Sequence, residues 1–307
     1  MTTGNNTVEV EGRRLTLSNL NKILWPQAGF SKADLVAYYL AVSPVLLPHL
    51  KERPLVITRF PNGVAEKSFY QKNAPEHLPD WIPTCTDSNT RYMMVSEAAA
   101  LVWLANQAAI ELHPWLSSQN SLDCPDFLVI DLDPSPANTY AQVVEVALAF
   151  KALLEQFQLH GFPKTSGGDG LHIYVPLRPI YSYQVVRELG HIMAAMVATL
   201  FPDITTIERS VKKRGDKIYL DYMQNVRGKT LCAPYSVRPR QQATVSTPLR
   251  WEEIHAAQPE HFDLLTVPRR IKTTGDLFAE VLTRQQSLEE VLLQLGKKEL
   301  LEAGTLK

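Results

Sequence analysis

Phe127-Leu128-Val129-Ile130-Asp131-Leu132-Asp133-Pro134-Ser135 is a short apolar run carrying two carboxylates. A strand has a side-chain period of two. Phe127, Val129, Asp131 and Asp133 would therefore share one face, and Leu128, Ile130 and Leu132 the other. The second face can pack on a core; the first ends in two neighbouring acids where Pro134 stops the strand. Like charges this close raise each other's energy unless a cation lies between them. Two chemistries fit: a strand entering an Asp-Pro turn with solvated acids, or a divalent-cation site for phosphate chemistry.

Further groups bear on that choice. Phe162-Pro163-Lys164-Thr165-Ser166-Gly167-Gly168-Asp169-Gly170 leads into Leu171-His172-Ile173-Tyr174-Val175. Glycines and a serine before a strand make a loop whose backbone N–H groups can face an anion. No Gly-Lys-Ser/Thr follows, so this is not a Walker A loop. His172 is either a phosphate contact or a surface histidine in a hairpin. Lys217 to Met223 alternates, with Lys217, Tyr219, Asp221 and Met223 on one face, which supplies a third strand-borne carboxylate. Residues 205–250 hold ten Lys/Arg and three acids, a local +7 in a chain of net charge −1. Such a stretch is a polyanion site or a solvated basic surface. Phe69-Tyr70 between Lys67 and Lys72 suits stacking on bases beside phosphates, or a half-buried strand. His113 is either a satisfied helix-end histidine or a polar group turned into a cleft.

The elements that must position these groups follow from the pattern. Residues 1–16 read as a frayed end and a short strand pair around Gly12. In Leu17 to Pro26, Ile23 and Trp25 are expected to pack inward, with Asn19 and Lys22 one turn apart if the stretch is helical. Ser31 with Asp34 three residues on caps a helix whose apolar stripe is Leu35, Tyr38, Tyr39, Val42 and Leu46, and Pro48 is expected to end it. Pro54 to Phe60 is a strand closed by Pro61-Asn62-Gly63. Residues 74–90 read as a loop, 91–95 as a strand, and 97–112 as an Ala-rich helix closed by His113-Pro114-Trp115. Helices are expected over 137–157 and 181–201, and short ones over 251–300. The mixture indicates α/β with largely antiparallel sheets.

Composition sets the bounds. Apolar content of 45% and charged content of 21% are ordinary for a folded chain of 307 residues. Net charge −1 provides no global field for a polyanion. Cys85, Cys124 and Cys232 form no CxxC pair, which speaks against a disulfide framework or cysteine zinc site and suits a reducing cytoplasm. No secretory signal pattern opens the chain, and no apolar run is expected to span a membrane.

Taken together, the ordered motifs resemble the primase-polymerase domain of bacterial ligase D, in the archaeo-eukaryotic primase superfamily. The resemblance runs from about Leu15 to Asp276. It rests on Leu17 to Pro26, Arg59-Phe60-Pro61-Asn62-Gly63, Val129 to Pro134, Thr165 to His172, Asp221 to Asn225 and Ala233-Pro234-Tyr235-Ser236-Val237-Arg238. It implies a primase-type core of two mainly antiparallel sheets with flanking helices. The whole chain would be one domain: a layer at 1–125 with DNA-end contacts, a catalytic layer at 126–250, and C-terminal helices at 251–307.

The resemblance also implies roles. Asp131, Asp133 and Asp221 would hold two divalent ions, Mn2+ or Mg2+. Ser166, Gly167, His172, Arg238, Lys217 and Gln224 would contact the incoming nucleotide, with His113 near its sugar. Asn19, Lys22 and Lys32 would receive a 5′-phosphate, and Phe69, Tyr70 and Arg59 the template or DNA end. Arg214 would lie in a loop that brings ends together. Substrates would be nucleoside triphosphates, ribonucleotides preferred, and DNA ends or gaps in non-homologous end joining. Ku and a separate ATP-dependent ligase would be partners, and the location the cytoplasm, at the nucleoid.

Two departures stand out. Asp169 lies where the family often has lysine, and no ligase or nuclease module is present. The chain is therefore an excised domain or a stand-alone polymerase. Two rivals remain. DxDxS after an apolar strand, with Gly215-Asp216 and Asp221 later, also fits a haloacid-dehalogenase-type phosphatase, with Asp131 as nucleophile and Asp133 as acid. The other rival is a non-catalytic DNA-end-binding module.

Overall fold

The expected N-terminal hairpin forms between β1 (Asn6–Val10) and β2 (Arg13–Leu17), with Gly12 at φ 76° in the turn. The computed structural model describes residues 6–304, so the expected frayed start at 1–5 lies outside the described residues. A second small pair, β3 (Ile23–Trp25) and β4 (Phe30–Ser31), follows. Trp25 is fully buried, but Ile23 is 46% exposed. A register shift between Ile23 and Trp25 breaks the alternation and sends Leu24 inward instead. The stretch before it is a tight turn and not a helix: Asn19 takes φ 53°, and the Lys22 N–H donates to the Asn19 carbonyl at 3.0 Å.

α1 (Lys32–Leu50) starts at the expected capping box, with reciprocal Ser31 and Asp34 hydrogen bonds. It does not stop at Pro48, because Leu46, His49 and Leu50 are buried and hold the last turn against the proline penalty. By length and composition α1 could cross a membrane, contrary to the sequence expectation, and 50% of it is buried. Its tyrosine hydroxyls are satisfied inside the protein: Tyr38 donates to the Tyr235 carbonyl at 2.8 Å, and Tyr39 to the Ile110 carbonyl at 2.7 Å. That is the pattern of a core helix.

β5 (Leu55–Arg59), β6 (Phe69–Gln71), β7 (Thr84–Asp87), β8 (Thr90–Met93) and β9 (Ala109–Pro114) form an antiparallel sheet, ordered β6-β5-β8-β7 with β9 on β5. β7 lies inside the stretch expected to be loop. The helix expected over 97–112 is α2 (Ala98–Asn106) only. Ala108 turns the chain at φ 54°, and residues from Ala109 pair with β5. A waiting strand partner outweighs the helix propensity of Ala and Leu.

The second large sheet contains β10 (Phe127–Asp133), β11 (Phe162–Thr165), β12 (Leu171–Pro176), β13 (Thr205–Thr206) and β14 (Ile218–Leu220), ordered β11-β12-β10-β14-β13. Only β13–β14 is parallel. Its helices are α3 (Tyr140–Gln156) and α4 (Tyr183–Leu200). β10 is central and buried on both faces. Phe127 and Val129 pack with Tyr174, Phe278 and Val281, while Leu128 approaches Gly190 of α4.

Contacts divide the chain into two interleaved units. One takes residues up to Trp115, Cys232–Thr247 and Pro259–Asp276, and the other takes Leu116–Leu231, Pro248–Gln258 and the chain from Leu277 on. The +7 stretch is thereby split, with Arg238 and Arg240 in the first unit and its other cations in the second.

Candidate active site

In the second unit, strand register lines up a polar row. Asp131 of β10 stands opposite His172 of β12, and His172 opposite Lys164 of β11. Such cross-strand neighbours share a face within side-chain reach. His172 Nε2 lies 3.3 Å from Asp131 Oδ1, and its Nδ1 lies 2.8 Å from Lys164 Nζ. The histidine is 4% exposed and the lysine 0%, so His172 is not a surface residue.

The row continues on the other side of β10. The Asp221 N–H donates to the Asp131 carbonyl at 2.9 Å, just past the end of β14. The alternation expected over 217–223 breaks at this point. The Asp221 carboxylate accepts the Met223 N–H at 2.9 Å and starts a short helical turn, Tyr222–Gln224. That turn brings Gln224 Nε2 to Asp131 Oδ2 at 3.3 Å. It also buries Asn225, whose amide exchanges two 2.8 Å hydrogen bonds with the Val129 backbone. β14 is too short to cover β10 at Val129, and the Asn225 side chain takes the place of the missing strand.

Asp133 points outward, with 62% of its side chain exposed, and lies 3.7 Å from Arg214 NH1. The Arg214 guanidinium stacks 3.6 Å over the Tyr219 ring. Lys217 is not brought in, because its Nζ donates to the Pro202 carbonyl at 2.6 Å.

Two N–H groups of the glycine-rich loop turn inward and do not face an anion. Those of Gly168 and Gly170 donate to Ser166 Oγ at 3.0 and 3.1 Å. A hydroxyl that accepts twice still has its own proton to donate. Gly167 takes φ 73°, and a Cβ on Gly170 would meet the Leu132 carbonyl at 2.2 Å. The loop therefore rests directly on the backbone between the two acids of β10.

Burial first, then the Asp131 charge, raises the Asp221 carboxyl above its ordinary value; Tyr219, the Met223 N–H and Lys229 oppose this. Desolvation and Asp131 likewise raise Asp133, Arg214 opposes, and Asp221 and Asp169 add to the rise. Solvent screens much of that shift for so exposed a side chain. Among the described residues, no three His, Cys, Asp or Glu side chains form a ready metal cage. The donor chemistry nonetheless fits: three carboxylates offer only oxygen, the ligand of hard divalent cations. Two of them, Asp133 and Asp221, are anions at raised energy as they stand.

The first unit holds two further clusters. Lys32 Nζ donates to the Ser18 and Asn106 carbonyls at 2.8 and 2.9 Å, and Lys22 Nζ to Asn62 Oδ1 at 2.9 Å. Burial lowers the Lys32 pKa first, and the charges of Lys22 and Arg59 lower it further. Cations that repel one another in this way raise the local positive potential. Asn19 belongs to the same turn, through the Asn19–Lys22 backbone bond. Arg59 is anchored by Gln107 and Gln71. Phe69 and Tyr70 on β6 are 52% and 58% exposed, which makes them surface aromatics and not a half-buried pair.

The other cluster is on β9, where Glu111 and His113 share a face. Glu111 lies 3.2 Å from Arg238 Nε and 3.6 Å from His113 Nε2. Burial pushes the Glu111 carboxyl up, but His113, Arg238 and Thr58 together take it below its ordinary value. Glu111 was missed because the helix expected over 97–112 hid the strand period; Lys164 and Asn225 were hidden inside motifs quoted for their neighbours. A separate cleft of about 360 Å³ beside Trp251 holds none of these groups. Of its cations, Lys151 pairs with Glu155 and Arg284 with Glu280.

A family model described as the LigD primase-polymerase domain matches residues 31–278. The bifunctional non-homologous end joining protein LigD of Bacillus subtilis is 36% identical over 289 residues, covering 93% of this chain and 47% of that protein. The multifunctional LigD of Mycolicibacterium smegmatis is 35% identical over 272 residues, 87% of this chain and 36% of that one. This chain thus spans less than half the length of either relative. The polymerase domain from Mycobacterium tuberculosis Ligase D, solved in complex with DNA, superposes with a TM-score of 0.82 at 33% identity, covering 89% of this chain and 99% of that one.

Proposed function

This chain belongs to the family of LigD primase-polymerase domains, DNA-repair nucleotidyltransferases, and on that premise we propose that it fills gaps and extends ends of broken DNA in non-homologous end joining, preferring ribonucleotides and using two divalent ions. Family membership sets the phosphatase reading aside. The observation that carries the proposal is the row Lys164–His172–Asp131 with Asp221 and Asp133 beyond it.

Asp131, Asp133 and Asp221 would hold Mn2+ or Mg2+, which when bound neutralises triphosphate charge and activates the attacking hydroxyl. Ser166 Oγ and His172 Nε2 are donors suited to phosphate oxygens, with Gly167 shaping the loop and Gln224 orienting Asp131. Arg238 and His113, joined through Glu111, would contact nucleotide. Lys217 would reach nucleotide only on leaving the Pro202 carbonyl.

The Asn19, Lys22 and Lys32 cluster suits a 5′-phosphate. The exposed Phe69 and Tyr70, near Arg59, suit an unpaired template base. Arg214 would serve in bringing ends together. Ku, a separate ATP-dependent ligase and a nucleoid location complete the proposal.

The test is primer extension on a 5′-phosphorylated gap, with ribo- or deoxyribonucleotides and with manganese or magnesium. Asp131→Ala is expected to abolish extension while end binding persists. Extension that survives this substitution would remove the carboxylate assignment. Binding without extension in the unaltered protein would leave only the non-catalytic end-binding reading.

A further inference from the structure

We propose that Lys164 is a positioning residue for nucleotide transfer, holding His172 as the tautomer that carries its proton on Nε2. The inference rests on the reading above, in which His172 meets the triphosphate. Lysine is almost never fully buried without a polar partner, because an ammonium taken from water loses its hydration. Lys164 is 0% exposed, with Nζ 2.8 Å from His172 Nδ1 and 5.7 Å from the centre of the Tyr174 ring.

An ammonium has three donors and no acceptor. With Lys164 Nζ donating, His172 Nδ1 accepts, and the ring N–H lies on Nε2, facing Asp131 Oδ1 at 3.3 Å. The opposite tautomer would aim a lone pair at Asp131 and at any phosphate oxygen arriving beside it, turning an attraction into a repulsion. The ladder fixes the arrangement, since Lys164, His172 and Asp131 are directly paired across three strands. The Lys164 edge is itself closed by a bridge to Pro248 and by the Leu249 N–H bonding to the Pro163 carbonyl at 2.9 Å. Lys164 thus acts through His172 and needs no contact with the nucleotide.

The experiment is a 15N spectrum of histidine-labelled protein near pH 8, with the His172 signals identified by their loss in His172→Ala, together with nucleotide KM and kcat in primer extension. In the unaltered protein, Nδ1 should show the unprotonated signal and Nε2 the protonated one. Lys164→Met should mix or reverse them and raise the nucleotide KM about tenfold, a change of 1.4 kcal/mol, with kcat changed much less. In a His172→Ala background the same substitution should leave KM within about twofold. Lys164→Gln keeps an N–H donor and should hold both the tautomer and KM near their original values.

A protonated Nδ1 in the unaltered protein overturns the proposal. So does a KM effect of equal size in both backgrounds, or a folded Lys164→Gln that loses the tautomer. If Lys164→Met does not fold, the first and third of these measurements decide. Absence of primer extension by the unaltered protein would sink the functional reading, while the spectrum would still judge Lys164.

Discussion

Asp169 is exposed in the glycine-rich loop, and its charge adds to the load on Asp133. A triphosphate approaching this loop meets repulsion where a lysine would attract it. Asp169→Lys should lower the nucleotide KM by about three- to tenfold at low salt, and the gain should shrink as ionic strength rises and screens an exposed charge. An unchanged KM would mean that the loop does not face nucleotide. Glu111 works in the opposite sense, because it holds Arg238 and His113 together. Glu111→Gln keeps the shape and removes the charge. It should raise nucleotide KM and cost about 1–3 kcal/mol of stability by weakening a partly buried charged hydrogen bond, read from steady-state kinetics and denaturant melts.

β10 was legible at the scale of elements because its apolar run, its paired acids and Pro134 all point to one strand end. α1 was legible from its capping pair and apolar stripe, and α3 and α4 from apolar periodicity alone. Where the reading failed, a non-local partner decided. Ala109 to Pro114 left the helix for β5, and the strand expected over 217–223 ended early when Asp221 captured the Met223 N–H. Nothing in Asp221-Tyr222-Met223-Gln224-Asn225 announces that Asn225 will act as a strand for Val129, since that pairing spans 96 residues. The same hydrogen bonds make a prediction. Asn225→Ala leaves the Val129 N–H and carbonyl buried without this partner, which should cost about 1–3 kcal/mol each way of counting. It should also slacken the strand end that carries Asp131, so kcat should fall even at temperatures where circular dichroism shows the variant folded. Full kcat in the folded variant would show that Asn225 serves stability alone.

At the scale of the whole molecule, a chain of net charge −1 concentrates acids at one strand end and cations elsewhere, and each cluster raises the folding energy until a ligand of opposite sign arrives. Asp133 and Asp221 have folded-state pKa values raised above the ordinary carboxylate value of 3.8. Such groups favour the fold when protonated, so their contribution is fully present below the unfolded pKa and is lost as pH rises through the raised value. At neutral pH, without divalent ions, both carboxylates therefore oppose folding. Asp221→Asn, which can still accept the Met223 N–H, should melt about 2 °C higher than the unaltered protein at pH 7, given the shift expected per kcal/mol in a chain of this size. The advantage should vanish near pH 4, where protonation removes the charge from the aspartate as well. Manganese should reverse the order at pH 7. It should stabilise the protein with all three carboxylates more than the one with two, by the mass action of a ligand bound to the folded state. An Asp221→Asn advantage that is the same at pH 4 and pH 7 would show that the gain is not electrostatic. A manganese response equal in both proteins would remove Asp221 from the metal site while leaving the roles of Asp131 and His172 to the primer-extension and histidine measurements.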